Sequence, residues 1–533
     1  MKILDPACGS GAFPMGMFNL MVQTVEKLQE HKTTYKNKLD IIQNCIYGVD
    51  IQNIAIEISK LRFFISLLVD CDIPENIADF DVLPNLETKF VVANTLIGID
   101  LTGGDDMFQK NFMAECRNLT QIFTPFTTSR TPTEKSRIKN EFETEKQRLI
   151  ALLEQNHFVG GEIDKIAAWN PFIVCYCSPF FDSGIMFDML DGFDIVISNP
   201  PYGASTGASD KAYFKKNYQS AKTISGVQKG SLDTYTLFIE KGFNCLKISG
   251  NLNFIVPMSV ISSDAMTALH RLLLTSCKEI KVASFSERPR QPFSNACQAT
   301  SILYLQRTNT PCELLLTTKK NRWNKGIELD VLIKNLKFTQ GFDNRLSGRI
   351  PKVSDEIEQV ILKKLFGNDN QAISKFIDNN GKPIYYRMAG GRYFKVVTNY
   401  PTHSSAEKSI HLSKKYADCI GLFMSSTFFW WYVQVFADDH NLKFFEIENF
   451  KIPVEKLTTD KIDDFNNLYN KYLNDIEDHA GINSRGVKEY KIRKSRLLVD
   501  QIDDLICPLY GLSPEETEFI KHYEIEFRLS EDE

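Results

Sequence analysis

The tetrapeptide Asn199-Pro200-Pro201-Tyr202 orders its polar groups for one chemical task, the gripping of an exocyclic amino group. An Asn side-chain oxygen and the carbonyl of the first proline can both accept hydrogen bonds from a single NH2. The prolines stiffen that backbone and remove N–H donors that would compete in the same space. Tyr202 adds a flat face on which a planar base or amide can stack. The tetrapeptide alone equally suits an ordinary strand exit, so its surroundings must decide.

A second candidate set opens the chain: Ile3-Leu4-Asp5-Pro6-Ala7-Cys8-Gly9-Ser10-Gly11-Ala12-Phe13. It reads as a short strand, a Gly-x-Gly turn and an amphipathic helix from about Pro14 to Leu28. Glycines at the carboxyl end of a first α/β strand let the backbone approach a ligand closely. The third glycine of a dinucleotide fingerprint is missing, so the turn is a weak signal by itself. Strand Ile46–Ile51 brings Asp50 to its end, where an acid can accept both ribose hydroxyls of an adenosine-containing cofactor. The helix after it carries Ile54, Ile58, Leu61, Ile65 and Leu68 along one stripe, and strand Phe90–Ala93 stops at Asn94, an amide able to address an adenine edge.

These residues need a sheet to hold them. The apolar run Phe193–Ser198 reads as a buried strand, and the residue before a proline is pushed toward extended geometry, so the strand continues into the tetrapeptide. A helix beginning at Asp233 and ending near Gly250 leads to an apolar strand at Asn251–Pro257, and Gln291–Ala296 precedes another at Ser301–Leu305. The alternation predicts a doubly wound, Rossmann-like α/β sheet. Within it, Leu101–Asp191 is a long insertion with a charged helical stretch from Thr133 to Gln155. Near Ile350 the texture changes to short aromatic strands such as Pro383–Arg387, with turns at Asn379-Asn380-Gly381 and Gly390-Gly391. The cluster Phe428–Val433 reads as a packed helix and the segment after Val454 as a charged helical tail. The expected domains are 1–330, 331–453 (mixed α+β) and 454–533 (helical).

A chain of 533 residues is too long for one core. Its 43% hydrophobic and 24% charged residues are those of a globular protein. The net charge of −5 does not advertise nucleic-acid binding, although a local basic cleft suffices for that. Two basic runs, Lys319–Lys325 and Arg485–Arg496, read as solvated faces, with phosphate contact as the alternative. Twelve cysteines show neither a CxxC pair nor zinc spacing, which points to core thiols such as Cys175 and Cys177 and to a reducing cytoplasm. The longest apolar run is too short to span a bilayer.

Together, the glycine loop and the tetrapeptide resemble the adenine-N6 DNA methyltransferases of restriction–modification systems, in the gamma order of glycine motif, Asn-Pro-Pro-Tyr, then recognition domain. The resemblance implies S-adenosylmethionine as cofactor, duplex DNA as substrate and no metal. It places Asp5, Ala7, Gly9, Gly11 and Phe13 around the methionine half of the cofactor, Asp50 on the ribose and Ile51 beside the adenine. Asn94 falls where many relatives have Asp. Asn199, Pro200, Pro201 and Tyr202 become catalytic, Tyr202 also stacks on an extruded adenine, and Phe293 is the candidate aromatic packing against it. Residues 331–453 resemble a TaqI-like specificity domain. Such enzymes carry a further cofactor-contacting segment before the glycine loop, so the expectation is a truncated product or a separate polypeptide supplying that part. Two rival readings are a non-catalytic DNA-recognition subunit and a protein-glutamine methyltransferase, whose relatives are small.

Overall fold

The computed structural model describes residues 1–533 except 70–85, 102–103, 128–130, 159, 174–175, 204–205, 294–297, 325, 342–345, 347, 390–394, 439–440, 483–487 and 530–533. Cys175, Ser294–Ala296, Lys325, Arg485 and the Gly390-Gly391 turn therefore lie outside the described residues.

Nine strands form the main sheet: β1 (Ile3–Asp5), β2 (Ile46–Asp50), β3 (Phe90–Val92), β4 (Phe193–Ser198), β5 (Leu246–Pro257), β6 (Cys277–Phe285), β7 (Thr300–Arg307), β8 (Leu314–Asn321) and β9 (Thr339–Gln340). Their order is β3-β2-β1-β4-β5-β7-β6-β8-β9. β1 runs parallel to β2 on one side and to β4 on the other, and β2–β3 and β4–β5 are parallel as well. Chain order reverses between β1 and β4, which makes the carboxyl ends of these strands the topological switch point where α/β sheets bind ligands. This is the expected doubly wound α/β sheet. β5 begins at Leu246, five residues ahead of the expected strand, because the helix Thr234–Asn244 has already ended.

The helices of this half are α1 (Ala12–Gln29), α2 (Tyr35–Cys45), α3 (Asn53–Leu68), α4 (Asp106–Phe123), α5 (Pro132–Gln155), α6 (Gly161–Ala168), α7 (Ser183–Phe187), α8 (Ala208–Asn217) and α9 (Thr234–Asn244). Within the insertion α4 and α5 form a helical pair closed by rings: Phe142 meets Trp169 and Phe172 edge-on, and Phe123 meets Phe172. Thr131 caps α5 by accepting from the Glu134 amide. The stripe on α3 departs from the reading of an ordinary amphipathic helix. Ile54, Ile58, Leu61, Ile65 and Leu68 are exposed, while Ala55, Ile56, Ser59, Phe63 and Leu67 are buried.

The chain divides into two compact units, one of 1–256, 265–281 and 302–314, the other of 257–264, 282–301 and 315–533. In the second unit, residues from both the 331–453 and the 454–533 segments share one core. Trp430 and Trp431 on helix Thr427–Phe436 lie in it with Tyr469, Tyr472, Ile502 and Ile506. The aromatic cluster is thus a packed helix. The first basic run is no solvated face: Lys320 and Arg322 are buried, Lys320 bonds the Gln434 amide oxygen, and Arg322 pairs with Glu524 at 3.0 Å. In the second run Lys488 pairs with Glu477, while Lys491, Arg493 and Lys494 are exposed. Among the described residues no single helix is long and apolar enough to cross a membrane. Helices Ala417–Met424 and Thr427–Phe436 together reach that composition, but they are bent by 66° and buried.

Burial pushes three carboxyls, Asp5, Glu358 and Asp503, up to about 7. Asp503 accepts the Thr427 and Phe428 amides at the start of the tryptophan-bearing helix. A raised acid contributes stability that is complete below its unfolded value of about 4 and is lost as pH rises through the folded value. The thermal midpoint is therefore expected to fall between about pH 5 and about pH 8, and Asp503→Asn to flatten the decline. A midpoint rising over that interval would contradict the assignment.

Candidate functional site

Four strand ends build the site. At the end of β1, Asp5 is 2% exposed. Its Oδ1 accepts from the Ala7 amide at 3.1 Å and from the Ser198 hydroxyl at 2.7 Å. Ser198 is the last residue of β4 and directly precedes Asn199, so one hydrogen bond ties the glycine loop to the amino-gripping tetrapeptide. Desolvation raises the Asp5 carboxyl, and the bonds from Ser198 and Ala7 work against it.

The loop after β1 turns through Gly9 and Gly11, whose φ angles of 53° and 82° are left-handed. Gly11 is doubly required, since a Cβ there would stand 2.7 Å from the Ser59 Oγ. Ser59 donates in turn to the Gly9 carbonyl at 3.0 Å, which locks the loop onto α3. Gly9 differs: a Cβ built there meets nothing within 4 Å, so the space beside it is open. α1 starts at Ala12 with Gly11 as its cap and no side chain on its first amides, leaving donors facing the loop.

At the end of β2, Asp50 accepts from the Gly9 amide at 2.9 Å through Oδ2 and from the Gln52 amide at 2.8 Å through Oδ1. A carboxylate has about four lone-pair sites, so each oxygen keeps capacity for one more donor. Ile51 beside it is 59% exposed. Beyond β3, Asn94 is half-buried and its Oδ1 accepts the Leu96 amide at 3.3 Å. Thr95 is buried and donates to the Pro6 carbonyl at 2.8 Å, fastening this corner to the glycine loop.

At the end of β4, Asn199 and Pro201 are exposed, Pro200 is buried and Tyr202 is half-buried. The Tyr202 hydroxyl donates to the Asn199 Oδ1 at 2.8 Å and approaches the Ile255 carbonyl at 3.3 Å. Burial raises the Tyr202 phenol to about 12, so it stays a donor. The Asn199 oxygen keeps a second lone pair, and no described residue donates to the Pro200 carbonyl. Thr234, the first residue of α9, donates to the Pro201 carbonyl at 2.6 Å and so fixes the far side of the turn. The structure thus brings Asp5, Ala7, Gly9, Gly11, Asp50, Ile51, Asn94 and Asn199–Tyr202 to one end of the parallel strands. Phe13 is half-buried in the first turn of α1. Phe293, also half-buried, lies between β6 and β7 in the second unit.

Sequence reasoning gave no role to Ser59, Ser198 and Thr234. Each is a small hydroxyl beside a recognised motif, and only that adjacency could have signalled it.

Residues 44–292 match the profile of the Eco57I restriction-modification methylase family. That span contains Asp50, Asn94 and Asn199–Tyr202 and begins after the glycine loop. The chain is 23% identical over 508 residues to RM.MjaORFECS2P of Methanocaldococcus jannaschii, a candidate type II restriction enzyme and methyltransferase, covering 80% of this chain and 41% of that one. It is 24% identical over 328 residues to the type II restriction enzyme and methyltransferase RM.Eco57I of Escherichia coli, covering 58% and 25%. The adenine-specific methyltransferase BrxX of Escherichia coli is 25% identical over 270 residues, covering 47% and 20%. The chain spans less than half the length of each of these relatives. It is homologous to type II restriction–modification methyltransferases, and S-adenosylmethionine is its expected cofactor. The residues present fit that group: open space beside Gly9, spare acceptor capacity on Asp50, an exposed Ile51, and uncapped amides at the start of α1.

Proposed function

We propose that this chain is a site-specific DNA methyltransferase of a restriction–modification system, acting on the N6 amino group of an adenine extruded from duplex DNA. The observation that carries the reading is the pair of available acceptors, Asn199 Oδ1 and the Pro200 carbonyl, at the end of β4 and tied through Ser198 to the Asp5 loop. The adenine specificity of the similar methyltransferase BrxX supports the choice of base. The second unit, which includes 315–533, speaks against a small protein-glutamine methyltransferase.

S-adenosylmethionine, when bound, supplies an electrophilic methyl group. Asp50 would hold its ribose, Ile51 would lie against its adenine, Asn94 would address the adenine edge, and Gly9, Gly11 and the first amides of α1 would wrap its methionine half. Asn199 and Pro200 accept the two hydrogens of N6 and so expose a lone pair otherwise delocalised into the ring. Positioning of that nitrogen supplies much of the acceleration. The proton made acidic by transfer leaves N6 through these acceptors to water. Tyr202 replaces part of the stacking that the flipped base loses. Asp50→Ala is expected to weaken cofactor binding by about 1.5–3 kcal/mol, the range for hydrogen bonds to a charged group. Calorimetry showing unchanged affinity in a folded variant would remove the ribose role.

Residues 331–453 choose the DNA sequence in this reading, because base readout is separable from positioning. Exchanging them for the equivalent segment of a relative should move the methylated site in a genome-wide adenine-methylation assay; an active hybrid keeping the original site would place specificity elsewhere. The function itself is tested by transfer of labelled methyl groups from S-adenosylmethionine into duplex DNA. Label in protein rather than DNA would refute it.

A further inference from the structure

Asp5 is a buried acid whose surroundings supply no positive charge. Both of its donors, the Ala7 amide and the Ser198 hydroxyl, reach Oδ1, and no described residue donates to Oδ2. Facing it from β2 is Asp50, a second acid, which opposes its ionisation. The Cys8 thiol between them is raised well above its ordinary value by burial and stays neutral. Among the described residues no Lys, Arg or His pairs with Asp5 or Asp50.

A buried carboxyl keeps its charge only where a partner compensates the lost water. Here desolvation outweighs the two hydrogen bonds and pushes Asp5 up to about 7. The end of β1 is thus built around an acid that ionises when a cation arrives from outside the chain. The methionine half of S-adenosylmethionine brings such charge, a sulfonium and an ammonium. Oδ2 is the oxygen left for it, and the open space beside Gly9 belongs to the same loop. Ser198 governs how readily the acid ionises. It is fully buried, and its hydroxyl, 2.7 Å from Oδ1, favours the anion. Alanine in its place would leave the Ala7 amide as the remaining donor.

We propose that Ser198 is a positioning residue that holds Asp5 ready to ionise, so that Asp5 gives up one proton as the cationic half of the cofactor binds. The O–H bond at Oδ2 breaks, its electron pair stays on the carboxylate, and the proton passes to water. This step rests on S-adenosylmethionine being the cofactor.

Calorimetry of S-adenosylmethionine binding to the full chain, in buffers of different ionisation enthalpy, counts the proton directly. The free acid is protonated below about 7 and the complex holds it ionised. The wild type should therefore release most of a proton per cofactor at about pH 6 and little above about pH 8. Its affinity should rise by up to about tenfold per pH unit as pH approaches neutrality, then level. Ser198→Ala loses a hydrogen bond to a charged group and should move that midpoint up by roughly one pH unit. Its affinity should be roughly fivefold weaker at neutral pH, with the deficit shrinking as pH rises. A purely structural role would weaken binding equally at every pH. The isosteric Asp5→Asn should abolish the release. Circular dichroism checks that both variants fold, and if Asp5→Asn does not, Ser198→Ala decides alone. Absence of binding at every pH would remove the cofactor reading and this step with it. Binding without proton release, or a Ser198→Ala profile parallel to that of the wild type, would overturn this step alone.

Discussion

Asn199→Ala is expected to slow methyl transfer by about 100-fold or more while leaving S-adenosylmethionine affinity within about twofold of wild type. The variant removes one preorganised acceptor from the reacting nitrogen and nothing from the cofactor loop, whose contacts run through Asp5, Gly9, Ser59 and Asp50. Asn199 is exposed and ends a strand whose register with β5 is set by main-chain pairing up to Ser198, so little destabilisation is expected. Tyr202→Phe makes the complementary probe. It removes the hydroxyl that donates to Asn199 and Ile255 but keeps the ring. Its loss should be much smaller than that of Asn199→Ala if the ring's stacking matters more than the hydroxyl. Single-turnover rates with saturating cofactor separate the two effects, and wild-type turnover in Asn199→Ala would end the assignment.

Glu446→Ala is expected to destabilise the second unit by about 3–5 kcal/mol. The Arg349 guanidinium is buried, pairs with Glu446 at 3.2 Å and lies 4.2 Å over the Phe445 ring. Glu446 also accepts the Lys443 amide at the start of helix Phe444–Asn449, so the same carboxylate caps a helix and neutralises a buried cation. Truncation leaves Arg349 charged in a place where burial already opposes ionisation, as shown by the upward displacement of the Glu446 carboxyl. Glu446→Gln retains an acceptor and should lose less. Three of the four tryptophans, Trp323, Trp430 and Trp431, are in this unit, so urea unfolding followed by tryptophan emission reads the effect directly. A loss below about 1 kcal/mol, the scale of a surface pair, would show that the contact is dispensable.

The parts of this molecule legible from sequence are those where chemistry forces residue type locally. Gly11 had to be glycine because α3 passes within a Cβ's reach of it, and the tetrapeptide has no other simple use beside such a loop. The orientation of α3 was not legible, since the helix is apolar on two sides. The small residues Ala55 and Ser59 face inward where the loop backbone comes close, and the large ones are left outside. The Lys319–Lys325 run misled for a different reason. Lys320 near the end of β8 and Arg322 just beyond it find partners at Gln434 and Glu524, more than a hundred residues away, with no local trace in the run itself. The same distance hid Ser198, whose partner Asp5 is 193 residues earlier.

The central claim is that the acceptors at Asn199 and Pro200 present an adenine N6 for methylation. It is tested most directly by digesting duplex DNA, after incubation with the chain and S-adenosylmethionine, to nucleosides and identifying the methylated one by mass. The expected product is N6-methyladenosine in its deoxy form, at a fixed sequence, and absent with Asn199→Ala. Methylation confined to cytosine, or N6-methyladenine formed equally by the Asn199→Ala variant, would contradict it.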